Sequence, residues 1–169
     1  MTADGEATAT ADAVASAVQF VLRSTKARPQ TEAELRGKLA GRGHPDAVVD
    51  AALDRARTLG AVDDAAFARA WVNDRGIGRG YSSLRLREEL RRRGVPDGTI
   101  ETALATMETR DDLEVATELA RSRAQRMPAS LDPEVVARRL LGFLGRRGYP
   151  EALARRVAIQ VTGLDRQWD

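Results

Sequence analysis

The chain contains no cysteine, a single histidine and few aromatic residues, and it has no long apolar run. The lack of cysteine excludes disulfides, thiol nucleophiles and cysteine-ligated metals. The one histidine, His44, excludes a metal site built on a histidine pair. No segment approaches the ~20 apolar residues that a membrane-spanning helix needs. We therefore expect a cytoplasmic monomer with no metal and no cofactor.

The scarcity of aromatic residues, 4% of a chain that is 43% hydrophobic, predicts a core of Leu, Val and Ala. The net charge of +2 conceals a segregation of charge along the chain. Residues 97–118 hold seven acidic residues and a single basic one, Arg110, whereas residues 121–156 hold nine arginines and three acids. This asymmetry favours a polyanion or an acidic protein surface as the partner.

One short pattern occurs three times, about fifty residues apart, as LRGKLAGRGHP (35–45), LREELRRRGVP (86–96) and LLGFLGRRGYP (140–150). Leucines four residues apart share one helical face, glycine in a left-handed conformation ends a helix, and proline begins the next one. Each copy therefore predicts one helix-turn-helix corner. The corner residues are Leu35, Leu39, Gly43 and Pro45, then Leu86, Leu90, Gly94 and Pro96, then Leu140, Leu144, Gly148 and Pro150.

Helical periodicity runs through most of the chain, so we predict an all-α fold. The triplicated corner predicts three tandem three-helix repeats at 13–60, 61–108 and 109–162, between a disordered acidic leader (1–12) and a tail (163–169) that contains Trp168. Repeats of this size bury little apolar surface alone, so we expect them to stack in an elongated, curved array. Helix starts are predicted at the capping box Thr31–Glu34 and at Ser82 or Ser83. The glycine-rich segment GIGRGY (76–81) is predicted to break a helix.

No group of residues in the sequence is typical of a catalytic site. The adjacent pairs Asp63–Asp64 and Asp111–Asp112 could serve metal or acid–base chemistry, but each precedes a predicted helix, where a carboxylate stabilises the helix start. We interpret both pairs as caps. Nothing else supplies a nucleophile, a base and an oxyanion site together, so we expect no enzymatic activity.

Arginine is the best candidate for binding chemistry in this chain. In the run Arg91–Arg93 we expect Glu88 to pair with Arg92 and Glu89 with Arg93, which leaves Arg87 and Arg91 aligned without an acidic partner. The candidate partner-binding residues are Arg75, Arg79, Tyr81, Arg85, Arg87, Arg91, Arg139, Arg146 and Arg147.

The sequence resembles the RecX regulators of bacterial recombination. The resemblance rests on the repeated corner and on the block GAVDDAAFARAWVNDRGIGRGYSSLRLREELRRRGVP (60–96), and it covers roughly residues 14–162. It implies three tandem three-helix repeats and a regulator that binds the RecA recombinase filament on single-stranded DNA. It also implies inhibition of the ATPase, strand-exchange and co-protease activities of RecA.

Two other functions fit the residues without the resemblance. A direct DNA-binding protein could present its helix-turn-helix corners to the duplex, although the helix at 86–93 has no Asn or Gln to read base edges. A helical scaffold for another protein partner is the second alternative. Affinity for bare duplex that falls steeply with salt would favour the DNA-binding alternative.

Overall fold

The computed structural model describes residues 3–107 and 110–165, and all regular structure in these two ranges is helical. This agrees with the predicted all-α class. Trp168, in the predicted tail, lies outside the described residues. The α-helices are α1 (Ala3–Ala27), α2 (Glu32–Ala40), α3 (Asp46–Thr58), α4 (Asp64–Trp71), α5 (Ser83–Arg92), α6 (Asp97–Leu104), α7 (Asp112–Gln125), α8 (Pro133–Gly145) and α9 (Glu151–Thr162). A π-helical segment, Val72–Gly78, continues α4, and a 3₁₀ turn, Ala105–Met107, follows α6.

Helix starts are set by side-chain caps at the predicted positions. Thr31 Oγ1 accepts from the Glu34 backbone N–H (3.2 Å), and Ser82 Oγ accepts from that of Arg85 (3.2 Å). Asp63 accepts from the Ala66 N–H and Asp111 from the Leu113 N–H, each at 2.8 Å. The two Asp pairs therefore begin helices, as predicted, because a carboxylate satisfies a backbone donor that the first helical turn leaves open.

All three predicted corners have one backbone geometry. Gly43, Gly94 and Gly148 have φ values of +81°, +75° and +83°, the left-handed conformation that ends a helix. The leucines of the corners are fully buried, and each proline stands immediately before the following helix.

The first residues of the chain differ from the prediction. The structure includes residues 3–12 in α1, whereas the sequence predicted a disordered leader. Alanine recurs at positions 3, 7, 9, 11 and 13, and it is the residue with the highest helix propensity. The acidic composition of the leader was therefore a poorer guide than its alanine content.

The glycine-rich break also begins later than predicted, because Gly76 and Gly78 lie in the π-helical segment. A Cβ at Gly76 would lie 2.6 Å from Met107 Sδ and 2.9 Å from Leu86 Cδ1, so a larger residue would require these two side chains to shift. The irregular chain is confined to residues 79–82. Here glycine permits close packing and does not end the helix.

The chain forms two compact units, one of residues 1–70 and 90–103 and the other of residues 71–89 and 104–169. The first has a core of Val, Leu and Ala from α1, α2 and α3, and the second has a core of Ala, Leu and Val from α7, α8 and α9. The division into three repeats stays a prediction. Among the described residues no helix is both long and apolar enough to cross a membrane.

Candidate functional site

The predicted binding residues are most concentrated in the second unit, where the start of α5 contacts the corner that follows α8. The Ser82 backbone N–H donates to the Arg147 carbonyl (2.9 Å), and the Ser82 hydroxyl donates to the Gly148 carbonyl (2.7 Å). These two bonds bring the loop at 79–82 beside the corner at 147–150. Arginines that are far apart in the sequence thereby become neighbours.

Arg147 lies directly against this loop. Its Nε donates to the Arg79 carbonyl (3.3 Å), and its guanidinium lies 3.8 Å from the ring centroid of Phe143. Burial lowers the pKa of Arg147, while the nearby Tyr81 and Tyr149 oppose that shift. Arg147 stays a cation at neutral pH, and its planar group is held in place by an aromatic face and a carbonyl.

Tyr81 and Arg85 form a second cation–aromatic pair. The Arg85 guanidinium lies 4.2 Å from the ring centroid of Tyr81, and its Nε donates to Glu89 Oε1 (2.9 Å). Arg79 is more exposed, at 55% of its side-chain area, and it forms an ion pair with Asp74 (3.0 Å).

Glu89 anchors the inner side of this group. Its carboxylate accepts from Arg85, from Trp71 Nε1 (3.0 Å) and from Arg75 (3.2 Å), whose guanidinium also lies 3.6 Å from the Trp71 ring. Burial by itself would raise the pKa of Glu89, but the hydrogen bonds from Arg85 and Trp71 and the charge of Arg75 outweigh it and lower that pKa. Glu89 is therefore ionised at neutral pH and orders the two arginines around it.

We call this group the Arg-aromatic surface. It consists of Arg75, Arg79, Tyr81, Arg85, Phe143 and Arg147. Guanidinium groups held on aromatic faces are pre-ordered to bind phosphate or carboxylate groups in a fixed geometry. Two exposed apolar side chains flank Tyr81 in the sequence, Ile77 (61% exposed) and Leu84 (47% exposed).

Arg139 and Arg146 are exposed on the side of α8 that carries Phe143, because they lie four residues before it and three residues after it. Arg123 of α7 approaches the same ring, at 5.8 Å from its centroid. The role of Arg139 and Arg146 in binding stays a prediction.

The expected pairing of Glu89 with Arg93 was wrong, and that of Glu88 with Arg92 stays a prediction. Arg91 lies in the first unit and pairs with Asp97 (2.7 Å), and Arg87 is not free either. Arg93 pairs with Glu34 (2.6 Å), because α2 lies against this end of α5, so Glu89 serves Arg85 and Arg75. Arg91 therefore does not belong to the Arg-aromatic surface.

Three residues were missed from the sequence, namely Phe143 of the Arg-aromatic surface and two residues that support this surface, Arg110 and Tyr149. Arg110 donates to the Gly76 carbonyl (2.6 Å), the Tyr81 carbonyl (3.3 Å) and the Tyr149 hydroxyl (2.7 Å). The Tyr149 hydroxyl in turn donates to the Gly80 carbonyl (3.0 Å). The only signal in the sequence was that Arg110 is the single basic residue of an acidic stretch.

Comparison with known proteins places the chain in a family. Residues 17–55 match the model of the first three-helix domain of RecX, and residues 63–104 match that of its second three-helix domain. Regulatory protein RecX of Mycobacterium avium is 40% identical over 86% of this chain and 84% of its own length. The chain belongs to the RecX family. Regulatory protein RecX of Thermobifida fusca is also 40% identical, over 90% of this chain and 82% of its own length.

Solved RecX structures share the fold. The crystal structure of RecX from Lactobacillus salivarius superposes with a TM-score of 0.71 at 16% identity, covering 91% of this chain and 99% of that one. A crystal structure of another regulatory protein RecX superposes with a TM-score of 0.67 at 23% identity, covering 90% of this chain and 74% of that one. The part that matches the second RecX domain includes Arg75, Arg79, Tyr81 and Arg85, whereas Phe143 and Arg147 lie beyond it. The Arg-aromatic surface is thus built on a RecX-type regulatory protein.

Proposed function

We propose that this chain binds the RecA recombinase filament on single-stranded DNA and inhibits its ATPase, strand-exchange and co-protease activities. Membership of the RecX family supports a regulatory protein, and the Arg-aromatic surface supplies a contact for its partner. Inhibition by binding needs no bond-making chemistry, because a ligand that holds neighbouring subunits of the filament stops their coordinated cycle.

The observation that carries the proposal is the pre-ordered set of guanidinium groups in the second unit. Arg85 and Arg147 are each held by an aromatic ring and by an oxygen acceptor, so they lose little freedom when they bind an anionic group. The exposed side chains of Ile77 and Leu84 favour a protein surface as part of the contact, since a phosphate backbone alone gives apolar groups nothing to bury.

The test is an ATPase assay on pre-formed RecA filaments with substoichiometric amounts of this protein, followed by electron microscopy of the same samples. We expect inhibition by the wild type and about tenfold weaker inhibition by Arg79→Ala, because a charged group at an interface typically contributes on the order of 1–2 kcal/mol. Arg36→Ala is the matched control, since Arg36 is also an exposed arginine (44%) in an ion pair, with Asp50 (2.6 Å), but lies in the first unit.

Equal inhibition by the two variants would remove Arg79 from the contact surface. Binding measured in parallel on bare duplex and on RecA-coated single strands separates the alternatives. Tighter binding to bare duplex, weakening steeply with salt, would support the DNA-binding function and contradict the proposal.

A further inference from the structure

The glycine-rich segment 76–81, which spans the end of the π-helical segment and the irregular chain and which we call loop 76–81, has an unusual demand for hydrogen-bond donors. Four of its carbonyls, those of Gly76, Arg79, Gly80 and Tyr81, accept bonds from side chains. In a π-helical segment that passes into irregular chain, carbonyls are not all satisfied by the backbone ladder. Donors from other elements must therefore satisfy them.

Arg110 supplies two of these four bonds and supports a third. Its guanidinium reaches the carbonyls at both ends of the loop, Gly76 and Tyr81, and it also donates to the Tyr149 hydroxyl, which bonds the Gly80 carbonyl. Only arginine offers several N–H donors in one rigid plane that can reach separate acceptors simultaneously.

The position of Arg110 is unexpected for a charged residue. Only 14% of its side chain is exposed, its Nε is buried without a hydrogen bond, and its ion pair with Asp112 is long, at 3.8 Å from that Nε. Burying a cation costs free energy unless hydrogen bonds or ion pairs compensate for the lost contact with water. Two of the three hydrogen bonds of Arg110 go to the loop, and the third goes to Tyr149.

Arg110 stands immediately before the pair Asp111–Asp112, and Val62 stands immediately before the pair Asp63–Asp64. Val62 is buried in the apolar core of the first unit. In the first unit α1 and α2 are joined by a short segment with no π-helical turn, and the residue before the Asp pair is apolar.

We infer that Arg110 is a positioning residue, which holds loop 76–81 in the conformation that presents Arg79 and Tyr81 to the partner. Tyr149 assists Arg110, because its hydroxyl accepts a hydrogen bond from Arg110 and donates one to the Gly80 carbonyl. The inference deepens the proposed function and rests on it for the consequence to binding, although the state of the loop can be measured without any partner.

The first experiment measures the loop alone, in the full-length protein under native conditions. Trypsin cleaves after Arg79 when the loop opens, and mass spectrometry follows the fragment pair 1–79 and 80–169. We expect Arg110→Met to accelerate this cleavage by about tenfold, and Tyr149→Phe to accelerate it by a smaller factor. Arg93→Met is the control, because Arg93 is a partly buried arginine of the first unit that bonds Glu34.

The second experiment couples the loop to inhibition of RecA filaments. Arg79→Ala is compared in the wild-type and in the Arg110→Met background. If Arg110 positions the loop, the Arg79 side chain contributes to inhibition only in the wild-type background, so the two substitutions are non-additive. In the Arg93→Met background the Arg79→Ala substitution should keep its full effect. Arg110→Lys, which retains a donor, should restore part of the inhibition.

Each outcome decides a different claim. Equal cleavage after Arg79 in the Arg110→Met and Arg93→Met proteins would overturn the positioning role, as would additive effects of Arg79→Ala and Arg110→Met. If Arg110→Met does not fold, Tyr149→Phe, which removes a single hydroxyl, decides by the same cleavage assay. A wild-type protein that leaves RecA filaments active would overturn the proposed function, while the cleavage rates would still decide the role of Arg110.

Discussion

The two compact units each contain a junction at which a helix start meets a glycine corner, and the two junctions share one design. In the first junction the Thr31 hydroxyl donates to the Arg93 carbonyl (2.6 Å). In the second the Ser82 hydroxyl donates to the Gly148 carbonyl (2.7 Å). Both hydroxyls also accept from a backbone N–H of the helix that they cap. A hydroxyl can cap a helix and donate to a neighbouring corner simultaneously, because its one oxygen both accepts and donates.

The glycines of the two corners are used in the same way. A Cβ at Gly94 would overlap that of Ala33, and one at Gly148 would overlap Arg85 and lie 2.7 Å from Ser82 Oγ. At the equivalent Gly43 a Cβ would meet nothing within 4 Å. Two corners therefore need glycine for its conformation and for close packing, and one needs it for its conformation alone.

The junctions differ in the polar groups that surround them. The second junction adds the Ser82 N–H bond to Arg147, the carboxylate of Glu89 with three donors, and the side chains that tie down loop 76–81. The first has a pair between Arg93 and Glu34 and a short connecting segment. The two junctions thus share one backbone geometry, and the Arg-aromatic surface lies at the second of them.

The largest expected effect comes from adding one methyl group at each corner. Gly94→Ala and Gly148→Ala should each lower the free energy of unfolding by roughly 2–5 kcal/mol, because left-handed strain of ~1–2 kcal/mol adds to an overpacking cost of ~1–3 kcal/mol. Gly43→Ala should cost only the strain. Urea unfolding of the three variants measures the difference, and equal losses would show that the two junctions are not tightly packed.

The next largest effect is a difference in stability loss between substitutions of Glu89 and Glu34. Glu89→Gln should cost roughly 1–3 kcal/mol, and more than Glu34→Gln, because the Glu89 side chain is less exposed (10% against 23%) and receives three donors. Thermal unfolding of both variants at pH 7 measures the order, and a larger loss for Glu34→Gln would contradict it.

The same carboxylate makes stability depend on pH. Because folding lowers the pKa of Glu89, its contribution is complete above the unfolded value of about 4.5 and is lost as the pH falls through the folded pKa. The difference in melting temperature between the wild type and Glu89→Gln should therefore shrink below pH 4.5. A difference that stays constant down to pH 3 would show that ionisation of Glu89 does not matter.

The smallest effect tests the shared hydroxyl. Thr31→Val and Ser82→Ala should each cost about 1–2 kcal/mol, since each removes a helix cap and a hydrogen bond to a corner carbonyl. Ser83→Ala serves as the control, at less than ~0.5 kcal/mol, because the neighbouring serine is not the capping residue. Denaturant unfolding measures both losses. A loss of stability in only one of the two hydroxyl variants would contradict a shared role for Thr31 and Ser82.

The features predicted correctly depend on residues two to four positions apart. The leucine pairs, the caps at Thr31, Asp63 and Asp111, and the glycine–proline corners are local, and each follows from the chemistry of a helix end. The predicted leader failed for a related reason. An alanine-rich acidic segment satisfies the rule for helix propensity as well as the rule for disorder, and composition does not decide between them.

The partners of charged side chains were not predictable in the same way. Glu89 has arginines four residues before and four residues after it, so the helix alone offers Arg85 and Arg93 equally. Arg93 instead meets Glu34, which lies 59 residues away in the sequence, and this contact leaves Glu89 to Arg85 and Arg75. Arg110 had no local partner that would have identified it.

By itself, the sequence determined the capped helix starts and the three glycine corners, because these features obey short-range rules of periodicity, capping and glycine conformation. Only the tertiary structure decided which arginines share a surface, which carboxylate holds them and which buried guanidinium ties down the loop. The physical reason is that hydrogen bonds and ion pairs between distant residues form only after packing has brought their helices together, and by then burial has made each unpaired polar group costly.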